Sequence, residues 1–147
     1  MMRVEAIVDG GMIGGNPGKG GWGGRFQVID ADENVVEEKF FGFSFGEEIV
    51  TNNVAEWRAV IGAMQIFYEY YFDARSWVIT SDSKLVVMQA NGQWSCKDEH
   101  MERLQYMFVH LRKALTALDR IPFALIHKRR EHTMVAHDHI AKILGRV

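Results

Sequence analysis

Four acidic residues stand where a carboxylate is chemically awkward. Asp9 closes the apolar run 3–8, and Asp82 directly follows the apolar run 77–80. Glu56 falls in the first turns of a helical pattern, beside Trp57 of its apolar stripe. Asp138 lies near the start of the last helical pattern. In open sheets with parallel strands, ligands gather beyond the carboxyl ends of the strands. Asp9 and Asp82 stand side by side there if their strands are neighbours. Packed carboxylates repel one another, so such a cluster asks for cations. Oxygen-only ligands select hard ions, Mg²⁺ or Mn²⁺, over zinc. Two such ions about 4 Å apart can activate a water and stabilise the leaving oxygen of a phosphodiester. Spacing alone does not bring the four together, because a strand-end Asp is more often a turn or cap residue.

Glycine is the second unusual feature. Of 14 glycines, nine fall between Gly10 and Gly24. One reading is two tight turns and a bulged strand. The other is a backbone that closely approaches a ligand, since only glycine has no Cβ to obstruct it. A Walker A loop is excluded, because Gly20 follows Gly18-Lys19 and Ile13 stands where the first glycine belongs. A Rossmann fingerprint is excluded because a strand, not a helix, follows.

The elements that must position these groups follow from changes of period. Residues 3–8, 20–29 and 35–45 read as strands, the second and third joined by the polar turn 30–34. Phe41, Phe43 and Phe45 alternate with small residues and predict one aromatic, core-facing side. From Val54 to Tyr71 the apolar residues take helical spacing, after Thr51-Asn52-Asn53 as an N-cap region. Residues 77–80 predict a buried strand, and a short helix opens at Ser81 or Asp82. A long helix is expected over 98–118, a strand over 123–126, and a last helix from Thr133 or Asp138 to Leu144. The order β-β-β-α-β-α-α-β-α predicts an α/β fold. Its first three strands form an antiparallel meander, and the later ones add in parallel to give a five-stranded mixed sheet flanked by helices.

Composition sets the outer bounds. A chain of 147 residues fits one domain, read here as 1–147, and 48% hydrophobic content suffices for one core. No apolar run approaches the length of a membrane span, so no membrane partner is expected. The N-terminus lacks the apolar run of a secretory signal. The single Cys96 suits a reducing compartment, and a cytoplasmic location is expected. The net charge of −2 argues against coating nucleic acid through bulk charge, so any such binding must use a local patch.

Six motifs, in order and spanning nearly the whole chain, resemble one family. Residues 9–23 (DGGMIGGNPGKGGWG) resemble the opening D-G-x-x-x-G-N-P-G-x-x-G-x-G of type 1 ribonucleases H. Residues 51–59 (TNNVAEWRA) resemble T-N-N-x-A-E-Y/W-x-A, and residues 82–86 (DSKLV) resemble D-S-x-L-V. Gln89 to Trp94, then Lys97-Asp98, are similar to the Q-x-x-G-x-W-x-x-K-D stretch of compact members. His127 to Glu131 resembles H-x-x-R-E, and Asp138 to Ala141 resembles the closing D-x-L-A.

The resemblance implies an endonuclease that cuts the RNA strand of RNA–DNA hybrids with two Mg²⁺ ions, Mn²⁺ being a substitute. It implies 5′-phosphate and 3′-hydroxyl products and little sequence dependence. By motif position, Asp9, Glu56, Asp82 and Asp138 are the catalytic, metal-binding carboxylates. Gly11, Asn16, Asn52 and Asn53 match positions that read RNA hydroxyls or minor-groove edges, and Thr51 matches a DNA-phosphate position. Lys84, where many members have Gln, and Arg130 are further substrate-binding candidates. His132 is a candidate for easing product release. A monomer is expected, with double-stranded RNA left open as a second substrate. The alternative is a catalytically weak or inactive hybrid-binding domain.

The chain departs from the family pattern at its end. Thr133 replaces the usual Asn, and Ala136-His137-Asp138 inserts a histidine before the acid. Asp138 is favoured over His137 for the fourth position because Asp138-His139-Ile140-Ala141 restores the helix pattern; if His137 holds the site, metal affinity falls. The basic handle of some bacterial enzymes is missing. Residues 120–147 carry a local +4 and residues 30–48 a local −6. The first segment is expected to border substrate and the second to face away. His132, His137 and His139 also admit a zinc reading, less favoured than plain surface roles. Trp22 and Trp94 are expected to be packing residues.

Overall fold

The computed structural model describes residues 2–145; Met1, Val147 and Arg146 of the basic segment lie outside them. Five strands form one mixed sheet: β1 (Arg3–Ile13), β2 (Gly18–Ile29), β3 (Val35–Val50), β4 (Ser76–Ser81) and β5 (Phe123–His127). Their spatial order is β3-β2-β1-β4-β5. β1 pairs antiparallel with β2, and β2 with β3, as the short connections require. β4 pairs in parallel with both β1 and β5. The helices are α1 (Asn52–Tyr70), α2 (Lys84–Ala90), α3 (Glu99–Leu115) and α4 (Met134–Ile143), with a 3₁₀ turn at Arg130–His132. The predicted α/β order and mixed sheet are observed.

Helix starts are set by side-chain caps that satisfy otherwise orphaned amides. Thr51 Oγ1 accepts from Val54 N at 3.2 Å, so Thr51 caps α1 and the asparagines lie inside the helix. Asp98 Oδ1 accepts from His100 N at 2.7 Å at the start of α3. Glu99 and Glu102 in the first turn of α3, with Arg112 and Lys113 in its last, complement the helix dipole.

The core lies between the sheet and α1, and α3 packs against α1 and adds Leu104, Phe108 and Leu115 to it. Trp57, Trp77, Phe26, Phe67, Phe108 and Met64 are its largest fully buried side chains. The buried indoles keep their hydrogen bonds: Trp57 donates to Gln89 Oε1 at 2.9 Å and Trp77 to the Tyr71 carbonyl at 3.1 Å. The aromatic stripe of β3 departs from the expected core role. Phe43 is 48% exposed, and Phe41 and Phe45 are only partly covered. β3 is an edge strand, and α1 reaches over it through rim contacts such as the tilted Phe41–Tyr70 pair at 5.8 Å and Arg58 over the Phe45 ring at 4.8 Å. Trp22 is buried as expected, whereas Trp94 is 43% exposed. Lys84 Nζ lies 5.9 Å from the centre of the Trp94 ring.

α4 covers the opposite face of the sheet. Its seat is made of glycine. A Cβ on Gly23 would come within 3.1 Å of the His139 ring and 3.3 Å of Ile140 N. A Cβ on Gly21 would meet Leu144 at 3.2 Å, and one on Gly42 would collide with Ile143. Much of the glycine cluster therefore serves helix seating. Only Gly14 and Gly15, with φ of +76° and +154° and no crowding, form the open turn between β1 and β2.

Candidate active site

Asp9 does not end its strand. β1 runs on to Ile13 because Gly10 and Gly11 stay extended, paired with Trp22 and Gly21 of β2. The parallel register pairs Val8 with Ser81, so the next residues, Asp9 and Asp82, emerge together from neighbouring strands. Glu56 arrives from above. Gly10 N donates to its Oε1 at 2.6 Å, tying the first turns of α1 to the strand that carries Asp9. One carboxylate oxygen from each of Asp9, Glu56 and Asp82 lies within 4.8 Å of the others. This is the convergence that spacing alone left open.

The electrostatics are strained in one direction. Asp9 is 1% exposed and Glu56 5%. Burial, reinforced by the charge of Asp82, raises the Asp9 carboxyl above its usual range, although Glu56 and His137 offset part of this. Burial and then the adjacent Asp9 push Glu56 well above the ordinary carboxylate range. Asp9 Oδ1 is buried without any donor, so Glu56 can engage it only by sharing a proton. A buried acceptor left unpaired among repelling acids fits a divalent cation. Asp9, Glu56 and Asp82 are the residues that could hold it.

The structure brings Asp9, Glu56 and Asp82 together and leaves Asp138 apart from them. Asp138 is exposed on α4 and lies outside the acidic cluster. His137 faces the site, with Nδ1 3.1 Å from Asp9 Oδ2. Helical phase explains this placement. Ala136 and Ile140 form the buried face of α4. At 3.6 residues per turn, His137 lies about 60° from Ile140 and Asp138 about 160° away. The period of the buried residues carried that signal; the motif register obscured it. His132 is exposed on the 3₁₀ turn, and His139 packs its ring 5.2 Å from that of Phe40. Among the described residues the three histidines form no metal group.

The proposed substrate contacts divide into two groups around the cluster. Asn16, Thr51, Asn52 and Asn53 are exposed, and Asn52 N donates to Asn16 Oδ1 at 2.9 Å. That bond joins the β1–β2 loop to the start of α1 as one polar ledge. Gly11 is buried within the β1–β2 pairing. On the other side, Arg130 Nε donates to Asp82 Oδ2 at 3.1 Å, and Lys84 is exposed at the start of α2. The basic run 128–130 follows β5, and the acidic segment lies largely on β3 at the far edge of the sheet.

Residues 39–142 match the sequence profile of the reverse transcriptase-like family. The chain belongs to this family. Its structural relatives include ribonucleases H1, in keeping with the family that the motifs resemble. A ribonuclease H1 from Halobacterium salinarum is 26% identical, with 99% of each chain covered and a TM-score of 0.74. The N-terminal ribonuclease H domain of a Mycobacterium tuberculosis protein is 29% identical over 97% of this chain and 92% of its own, with a TM-score of 0.70. The LC11 ribonuclease H1, solved with an RNA/DNA hybrid, shares the fold at 23% identity over 96% of this chain and 99% of its own, TM-score 0.70. No curated protein sequence matches the chain. The acidic cluster sits where the parallel pairing of β1 with β4 ends, under the start of α1.

A stability signature follows from the raised carboxyls. Asp9 and Glu56 hold protons more tightly folded than unfolded. Above about pH 4 the unfolded chain releases them first, so stability falls as pH rises from there through the raised folded-state values. In chelator, the wild-type melting temperature drops between pH 5 and pH 8 by more than that of Glu56→Gln. A bound cation opposes the loss at pH 8. At about 100 times its Kd it restores about 2.7 kcal/mol, or about 8 °C for a chain of this size. Thermal melts with and without Mg²⁺ or Mn²⁺ at both pH values check this.

Proposed function

We propose that this chain is an endoribonuclease that hydrolyses the RNA strand of RNA–DNA hybrids with little regard to sequence, leaving 5′-phosphate and 3′-hydroxyl ends. The observation that carries the reading is the convergence of Asp9, Glu56 and Asp82 where the parallel pairing of β1 with β4 ends, beside exposed polar and basic groups. The named relatives support it: two are ribonucleases H1 or a ribonuclease H domain at 26% and 29% identity, and a third of the same fold was solved with an RNA/DNA hybrid.

Asp9, Glu56 and Asp82 would hold divalent ions, two Mg²⁺ in this reading, with Mn²⁺ as a substitute. When bound, such ions supply a more acidic water and charge neutralisation at the departing 3′ oxygen. The protein's own groups do the rest. The Gly10 amide fixes Glu56, so its carboxylate is aimed before substrate arrives. Asp82 is partly exposed and can be reached from solution. Arg130, paired with Asp82 at 3.1 Å, is a guanidinium parked beside the reacting centre, where it can transfer to a backbone phosphate. The ledge of Asn16, Asn52 and Asn53 offers amide donors and acceptors to 2′-hydroxyls, which distinguish RNA from DNA. Recognition through hydroxyls, phosphates and groove shape explains why no sequence preference is expected.

A second reading, a hybrid-binding domain with weak or no cleavage, is favoured by one observation: a histidine faces Asp9 where the motif has a carboxylate. A strand-labelled hybrid incubated with Mg²⁺ or Mn²⁺ separates the two. Cleavage confined to the RNA strand, with 5′-phosphate products, is the expected result. Hybrid binding without cleavage in either ion would establish the second reading, and double-stranded RNA serves as the comparison substrate.

A further inference from the structure

α4 brings one ring nitrogen into the acidic cluster. His137 Nδ1 lies 3.1 Å from Asp9 Oδ2. Asp9 is 1% exposed, and its other oxygen, Oδ1, has no donor. The helix that carries His137 cannot easily rotate to exchange it for Asp138. Ala136 and Ile140 are 0% exposed beneath it, and Gly23 and Gly42 hold Ile140 and Ile143 against the sheet. Turning Asp138 inward would lift that apolar face into water.

A nitrogen donor changes which ion the site prefers. Mg²⁺ demands near-octahedral oxygen coordination and sheds water reluctantly. Imidazole suits transition ions, and Mn²⁺, although it too favours oxygen ligands, takes a nitrogen donor more readily than Mg²⁺ does. We propose that His137 is, through Nδ1, a nitrogen ligand of the divalent ion that Asp9 holds, and that it tilts the site from Mg²⁺ towards Mn²⁺. The inference rests on the reading of Asp9, Glu56 and Asp82 as a cation site. It leaves two acids, Asp9 and Asp82, and one imidazole around the open side of the cluster, where the motif would place three acids.

Pulsed electron paramagnetic resonance on the Mn²⁺-loaded protein tests it without any cleavage assay. The wild type should show the modulation of a directly bound imidazole nitrogen. His137→Ala should lose that modulation and bind Mn²⁺ about 10- to 100-fold more weakly by calorimetry, the range seen when a group that supports a metal is removed. His137→Asp should also lose the nitrogen signal while its Mn²⁺-to-Mg²⁺ affinity ratio falls by about tenfold or more. Asp138→Asn, on the exposed face, should change neither the signal nor the affinity. Circular dichroism checks the fold of each variant, and the wild-type spectrum and Asp138→Asn decide the matter if His137 variants do not fold. Mn²⁺ binding that depends on Asp9 but shows no nitrogen modulation overturns the proposal while leaving the cation site intact. So does modulation that survives His137→Ala, or affinity that collapses in Asp138→Asn. Mn²⁺ binding unaffected by Asp9→Asn overturns the cation site itself, and this proposal with it.

Discussion

Asp9→Asn is expected to cut the rate of hybrid cleavage by about a thousandfold or more, since losing about 4 kcal/mol of transition-state stabilisation costs that much. Asp9 sits at the centre of the cluster. It lies on β1 just past the Val8–Ser81 pair, beside Asp82, it shares its surroundings with Glu56, and His137 faces it. Asparagine keeps the shape and removes the charge, so binding of hybrid should persist while turnover collapses. The same change should raise the melting temperature of the cation-free protein. The native carboxylate is buried among like charges, and an amide there can donate to Glu56 and relieve the repulsion. Opposite signs for activity and stability mark a group kept for function. Single-turnover cleavage and melts in chelator measure both. Unchanged cleavage would remove Asp9 from the chemistry.

Gly10→Ala should lower both stability and turnover. A Cβ at Gly10 would collide with the Ala55 carbonyl group and approach Glu56 N at 2.5 Å. All of these are backbone atoms, so no side chain can swing aside. The first turn of α1 must back away from β1 and take Glu56 with it. Overpacking of this kind costs about 1–3 kcal/mol, and displacement of a reacting group by about 1 Å can cost about a hundredfold in rate. Gly46→Ala is the control. Gly46 has φ of +63° but nothing within 4 Å of its missing Cβ. Its replacement should cost about 1–2 kcal/mol of backbone strain and leave cleavage unchanged. Melting curves and cleavage rates on the same samples check both variants, and equal rates for the two would refute the coupling between Gly10 and Glu56.

The order of elements was legible because periodicity switches cleanly, from the alternation of β1–β3 to the helical stripe beginning at Val54. The lengths were less so. β1 and β3 each extend five residues beyond the expected ends at Val8 and Phe45. Gly10, Gly11 and Gly46 read locally as turn signals, yet cross-strand pairing holds the first two extended and carries β3 past the third. Tertiary pairing thus overrode local propensity. Glu56 was legible as an acid beside a buried stripe, and its convergence with Asp9 and Asp82 needed the parallel register, which no single segment contains. The approach of His137 to Asp9 was legible only as the alternative to Asp138, because the side of α4 that faces the sheet is set by packing. Asp138 completes a familiar string of letters, but Ala136 and Ile140 decide which side of α4 meets the sheet.

The glycine seat beneath α4 has a consequence for how a saturation library of this chain would score. Gly21, Gly23 and Gly42 touch no proposed substrate group, yet any side chain there meets the last helix or the neighbouring strand. Such a library would rank these positions as intolerant alongside Asp9 and Glu56. A map of intolerance by itself would then draw the active site too wide and include a mechanical support. Scoring abundance and cleavage separately would resolve the two. The seat positions should lose folded protein in proportion to activity, and the acids should lose activity alone.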